Sequence, residues 1–295
     1  MTQDELFEYA IDLPDSAIAR VTSNLIGFDQ RYNRLEMSLR LMSDPDALRA
    51  WSKQHYGKTI PIIERVSERY PLFVLAGDVG TGKTAFARGA ANRLAERMKK
   101  PSTLFAISTR VRGEGRVGEA SSRINAAFNI VREALGKSKL CTVLIDEADS
   151  LVTSRDEGHA HLEDKVAVNT IIQKIDDLRK YSGRLLVFLA TNRLAALDPA
   201  VLRRAATLEQ FDRPSASERE QLLRLDLAGL DIDEAILITA VEHTGPDGDR
   251  PGFSFADIRT RLLSEILMQA FPDREIIGSD VSLALSNVKP SATML

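Results

Sequence analysis

Pro71-Leu72-Phe73-Val74-Leu75-Ala76 runs directly into Gly77-Asp78-Val79-Gly80-Thr81-Gly82-Lys83-Thr84, and this stretch decides the fold. The first part is a continuous apolar run of strand length, as a strand buried on both faces requires. The second matches G-x-x-x-x-G-K-[ST] in full. The adjoining segment, TAFARGAANRLAERMKK (Thr84–Lys100), reads as a helix with Ala87, Ala90, Ala91, Leu94 and Met98 on one face. Strand, glycine-rich turn and helix form the context in which this motif cradles phosphate. The glycines let successive N–H groups turn inward, and the helix N-terminus adds partial positive charge. The spacing aims Lys83 at the β- and γ-phosphates of a nucleotide and the Thr84 hydroxyl at Mg²⁺. Asp78, Val79, Gly80, Thr81, Gly82 and Ala85 complete the phosphate-contacting segment.

Outward from that loop the pattern repeats. TLFAIS (Thr103–Ser108), CTVLID (Cys141–Asp146) and LLVFLATN (Leu185–Asn192) are further strands, and TLEQF (Thr207–Phe211) is a fifth. Glu119–Leu135, closed by Gly136, and Val166–Leu178 are helices between them. Apolar strands alternating with helices predict an α/β fold with a parallel sheet covered on both faces. After Arg213-Pro214 the strands stop and residues 215–270 are helical, broken by TGPDGDRPG (Thr244–Gly252). The chain thus divides into a short N-terminal segment, 1–45, suited to be a docking tail, a large α/β domain, 46–213, and a small helical domain, 214–295. Within the first, Leu35, Leu39 and Met42 fall at i, i+4 and i+7, the spacing of an amphipathic helix.

Asp146-Glu147 ends the strand one strand–helix unit beyond the phosphate loop. The strand delivers both acids to the sheet edge, where Asp146 can hold Mg²⁺ and Glu147 can polarise an attacking water. Asn192, at the end of the fourth strand, is placed to sense the γ-phosphate and orient that water.

Composition narrows the classes. The 295 residues are 44% hydrophobic and 27% charged, which excludes a disordered chain, a collagen-like repeat and a disulfide scaffold. Thirty-nine basic residues against 42 acidic ones give a net charge of −3, opposite in sign to a protein that coats nucleic acid. No apolar run approaches the roughly 20 residues that span a bilayer. The acidic MTQDELFEYA lacks the order of a signal peptide, and the single cysteine, Cys141, suits a reducing cytoplasm.

The phosphate loop, IDEADSL (Ile145–Leu151), ATNR (Ala190–Arg193) and LDPAVLRRA (Leu197–Ala205) come in the order and spacing of AAA+ ATPases, which the chain resembles over roughly residues 24–270. The resemblance implies a five-stranded parallel sheet sandwiched by helices plus a helical lid. LIGFD (Leu25–Asp29) is similar to the stretch that packs on adenine, which assigns Ile26 and Gly27 to the nucleotide. LDPAVLRRA is similar to the segment that carries an arginine finger. Arg203 and Arg204 are both candidates, and a finger acting on a neighbour implies a homo-oligomeric ring, a hexamer. GFSFADIRTRL (Gly252–Leu262) resembles the lid motif, with Arg259 as the nucleotide contact.

Within that family, DEADSLVTSRD (Asp146–Asp156), KVAVNTIIQKIDDLRK (Lys165–Lys180) and FDRPSASER (Phe211–Arg219) resemble the HORMA-domain remodellers, the pachytene-checkpoint ATPases and their bacterial counterparts in antiphage operons. This implies ATP-driven threading of a HORMA protein's N-terminal tail through the ring pore. The regulated enzyme would be a nucleotidyltransferase that makes a second messenger. The stretch matching the pore loop, Arg112–Glu119, carries Arg116 and Val117 where the family has an aromatic residue. A general protein unfoldase and a nucleic-acid loader are the competing readings, the latter disfavoured by the acidic charge. His159 and His161 read as parts of a solvated loop, Cys141 as core, Trp51 and Tyr56 as packing residues near the nucleotide cleft, and Lys99-Lys100 as a helix end.

Overall fold

The computed structural model describes residues 3–67, 69–108, 118–152, 162–181 and 183–293. The candidate pore-loop residues Arg116 and Val117, and His159 and His161, lie outside the described residues. Two compact units are present. The larger comprises Met1–Asn24, Phe28–Ala76 and Thr84–Gln210; the smaller comprises Leu25–Gly27, Gly77–Lys83 and Phe211–Leu295.

A sheet of six strands organises the larger unit: β1 (Phe7–Leu13), β2 (Leu72–Gly77), β3 (Ser102–Ile107), β4 (Leu140–Ile145), β5 (Leu185–Thr191) and β6 (Thr207–Phe211). Their order is β1-β3-β4-β5-β2-β6. The pairs β3–β4, β4–β5 and β5–β2 are parallel. Every residue of β3, β4 and β5 is buried, which is why these strands read as unbroken apolar runs.

The sheet has six strands where the sequence predicts five. The extra one is β1, antiparallel to β3, so residues 7–13 are an edge strand and not a free docking tail. Its sequence FEYAIDL alternates: Phe7 and Leu13 are buried, Tyr9 and Ile11 half-buried, and Glu8, Ala10 and Asp12 exposed. One face packs while the other keeps charge at the sheet edge, which discourages further strand pairing. Asp12 accepts from the Thr103 hydroxyl at 2.7 Å and from Lys139 at 3.2 Å, and these two bonds hold its carboxyl below its ordinary range.

The helix Phe28–Ser43 buries Tyr32, Leu35, Leu39 and Met42, as the i, i+4, i+7 spacing requires. Trp51 and Tyr56 depart from expectation. They are 45% and 55% exposed on the helix Pro45–Tyr56, their rings 5.8 Å apart, and they line an apolar surface groove with Leu48 and Ile62. An aromatic residue's type does not reveal its burial when the face it occupies is left uncovered.

Cys141 sits at 0% exposure in β4, and burial pushes its thiol up to about 11. About one thiol in a thousand is therefore ionised at pH 8, so native protein should resist a thiol-specific reagent and label fully in guanidinium. Rapid stoichiometric labelling of folded protein would contradict this packing.

The smaller unit is helical outside its phosphate loop. Ala216–Asp226 begins with a capping box between Ser215 and Glu218. Glu234–His243, a π-helical turn Asp257–Leu262 leading into Leu263–Met268, and Gly278–Asn287 complete it. Leu222, Leu223, Phe253, Ile258, Leu262, Val281 and Ala284 form its core, against which Ile26 packs. Among the described residues no helix is long and apolar enough to cross a membrane.

Candidate nucleotide site

The phosphate loop, Gly77–Lys83, is built against the helical unit to which it belongs. Gly77 is required by close approach: a Cβ there would collide with the Phe211 carbonyl. Gly80 has φ +74°, and a Cβ on it would sit 2.7 Å from both Ser254 Oγ and the Ala256 Cβ. Its carbonyl accepts from Ala256 N at 3.1 Å. Thr81 is buried and donates to the Asp78 carbonyl at 2.8 Å. Lys83 is 6% exposed, and its ammonium donates to the Gly77 and Asp78 carbonyls at 2.8 and 2.7 Å, so its charge lies within the curl. Gly82 also has positive φ, and Val79 is exposed at the loop's tip.

Asp146, Glu147 and Asn192 belong to the larger unit. In register, Ala76 pairs with Thr191 and Ile145 with Leu189, so β2, β5 and β4 end along one sheet edge. Asp146 and Glu147 leave β4 there, and Asn192 leaves β5. Thr84, in the first turn of the helix Lys83–Met98 with Ala85, donates to Asp146 Oδ2 at 2.6 Å. A hydroxyl and a carboxylate in contact are the hard oxygen donors that suit Mg²⁺, so the residues fit that ion. Glu147 is exposed at φ +47°, ψ +44°, a left-handed conformation rare for a residue with a side chain. Such backbone strain persists where surrounding structure enforces it. Here Asp146 Oδ1 accepts from Glu147 N at 2.9 Å, and the next residues form a 3₁₀ turn. Asn192 is half-buried, and its approach is fixed by Thr191, which donates to Asp149 Oδ1 at 2.7 Å and accepts from Arg193 N at 3.0 Å. The Thr191–Asp149 pair was not foreseeable from sequence, although the two residues lie within ATNR and IDEADSL.

The two finger candidates differ. Arg204 donates through Nε and one terminal nitrogen to the two Asp176 oxygens at 2.6 and 3.1 Å, and to the Ala200 carbonyl at 2.9 Å. The Arg204 hydrogen bonds hold the Asp176 carboxyl below its ordinary range. Arg203, at the end of the short helix Pro199–Leu202, is exposed. Arg259, expected at the nucleotide, has its guanidinium on Asp226 in a two-point contact at 2.7 and 3.0 Å within the smaller unit. Ile26 packs on the core of that same unit, and Gly27 takes φ +73°.

Sequence reasoning also passes over Arg213. It donates to Asp78 Oδ2 at 2.7 Å and to the carbonyls of Gly252 and Ser291 at 2.5 and 2.9 Å. Asp257 stands beside it, accepting from Ser254 and Ser291. Burial pushes the Asp257 carboxyl up, but those hydrogen bonds outweigh burial and hold it below its usual range.

The family model for the ATPase family associated with various cellular activities (AAA) matches residues 73–213. CD-NTase-associated protein 6 of Escherichia coli strain KTE188 is 42% identical over 295 residues, covering 100% of this chain and 99% of that protein. A chain in the structure of the E. coli MS115-1 HORMA:CdnC:Trip13 complex superposes with a TM-score of 0.94 at 36% identity, over 100% of this chain and 99% of that one. Rhizobiales Trip13 gives 0.74 at 32% identity, over 97% and 100%. With an intact phosphate loop, both strand-end acids and a relative matched from end to end, the chain belongs to the AAA ATPase family, in the group that holds CD-NTase-associated protein 6 and Trip13, and it hydrolyses ATP.

Proposed function

We propose that this chain is the ATP-driven remodeller of a HORMA-domain protein, working as a cytoplasmic homo-oligomeric ring, a hexamer, in second-messenger antiphage signalling. The observation that carries this reading is the end-to-end likeness to a chain solved in a HORMA:CdnC:Trip13 complex. The partners are the HORMA protein and, through it, a nucleotidyltransferase.

In this reading the backbone of Asp78–Thr84 and Ala85 encloses the triphosphate, and Lys83 places its charge on the β- and γ-oxygens. Ile26 and Gly27 border the base. Thr84 and Asp146 hold Mg²⁺, which when bound offsets charge on those oxygens. Glu147 takes the proton of the attacking water, and Asn192 orients that water beside the γ-phosphate. Arg203 is offered to the neighbouring subunit's site. Arg204 stays on Asp176 and shapes the segment. Arg259 is assigned to the lid's own packing by its hold on Asp226.

The test uses the full chain and a HORMA-domain protein of the kind found in the HORMA:CdnC:Trip13 complex. With ATP, wild-type protein should convert the closed, peptide-bound HORMA protein to its open form, read as release of a labelled closure peptide. A HORMA protein lacking its N-terminal tail should retain the peptide. Release that needs neither ATP nor the tail would remove the threading reading.

A further inference from the structure

Asp78 puts a carboxylate in the second position of a loop that must receive a triphosphate. Left to itself, that charge opposes binding. The structure sets a guanidinium against it, while Asp78 Oδ1 also accepts from Val79 N at 2.8 Å. Arg213 meets Asp78 Oδ2 through Nε at 2.7 Å and through a terminal nitrogen at 2.6 Å, with the two side chains only 12% and 14% exposed. Screening by water is weak at such burial.

The guanidinium is itself fixed from several directions. One terminal nitrogen donates to the Gly252 carbonyl at 2.5 Å; the other donates to the carbonyls of Ser291 and Ala292 at 2.9 and 3.2 Å. Ser291 is anchored in turn, donating through N and Oγ to Asp257 Oδ2 at 3.2 and 2.9 Å. Ser254 binds the same oxygen through N and Oγ, both at 2.9 Å. Two residues on, Ala256 N holds the Gly80 carbonyl. The chain of contacts therefore closes on the phosphate loop twice, at Asp78 and at Gly80, and the C-terminal segment braces the arginine between them. All of these groups belong to the smaller unit.

We propose that Arg213 is a positioning residue for nucleotide: held by Gly252 and the Ser291–Ala292 segment, it compensates the Asp78 carboxylate and so sets the affinity of the loop for polyphosphate. This rests on the assignment of Gly77–Thr84 as the phosphate site.

The test is a titration of full-length protein with fluorescent mant-ATP and mant-ADP at low and moderate salt. Arg213→Gln should weaken mant-ATP binding by about tenfold or more, the scale of a buried charge contact, and the loss should change little with salt. Asp78→Asn should bind at least as tightly as wild type. The double variant, D78N with R213Q, should recover to within about threefold of wild type, because the charge needing compensation is gone. An arginine that merely holds the lid together predicts instead that the double variant stays as weak as Arg213→Gln. That result, or wild-type affinity in Arg213→Gln, overturns the proposal. Should Arg213→Gln fail to fold, Asp78→Asn decides alone, and a loss of about tenfold or more overturns it. Lys83→Ala separates the two readings. If it binds as wild type does, the phosphate-site assignment fails; if only it loses binding, the arginine's role fails.

Discussion

Glu147→Gln is expected to bind ATP with near wild-type affinity and to turn over about 10²- to 10⁴-fold more slowly, the range that a positioned general base contributes. The structure gives this its specificity. Glu147 is exposed and held in a left-handed backbone conformation, whereas Asp146, one residue earlier, is in contact with Thr84. The proposed duties of the neighbouring acids are therefore separable. Asp146→Asn weakens the hard-oxygen pair and should raise the Mg²⁺ requirement as well as lowering turnover. Glu147→Gln removes no oxygen from that pair, so its Mg²⁺ dependence should follow wild type. Single-turnover measurements across a Mg²⁺ series distinguish the two. An amide at 147 that hydrolyses ATP at the wild-type rate would remove the base assignment. A Glu147 variant whose defect is relieved by excess Mg²⁺ would mean that the two roles had been exchanged.

The residues that could be read directly from sequence are those whose chemistry is local. The phosphate loop combines a short apolar run, three glycines and Lys-Thr within fourteen residues, and the structure keeps those parts contiguous. Asp146-Glu147 and Asn192 follow from strand ends, because a parallel sheet brings the carboxyl ends of its strands to one edge. β1 was also legible in principle, since FEYAIDL alternates with period two. It is obscured by its acidic residues and by its partner, with Phe7 pairing to Ile107 far along the chain. Arg213 and Asp78 are 135 residues apart and carry no local pattern, so only the fold could join them. Arg259 combines the two cases. Its motif suggests a place beside the nucleotide, and its two-point contact with Asp226 within the lid carries no local pattern that the sequence could have shown.

Arg203→Ala should lose about 10³- to 10⁵-fold in turnover, the contribution of a guanidinium that meets charge on the transferring phosphoryl group. Arg204→Ala should do much less to catalysis. Its guanidinium is spent on Asp176 and the Ala200 carbonyl, and the pair is 25% and 41% exposed, so removing it should cost at most about 1 kcal/mol of stability. The sequence alone left the two arginines equivalent; the structure separates them by what each already holds. Mixing provides the decisive measurement. Arg203→Ala subunits keep an intact phosphate loop, and Lys83→Ala subunits keep Arg203, so neither should hydrolyse ATP alone. Random co-assembly brings an intact loop against an intact arginine at about a quarter of head-to-tail interfaces, and activity should reappear there. Arg204→Ala subunits, by contrast, should be active without a helper. If mixed rings form, as judged by co-purification of differently tagged subunits, and remain inactive, Arg203 does not act across the interface. If Arg204→Ala is the variant that needs rescue, the Asp176 pair opens on ring assembly and the finger is Arg204.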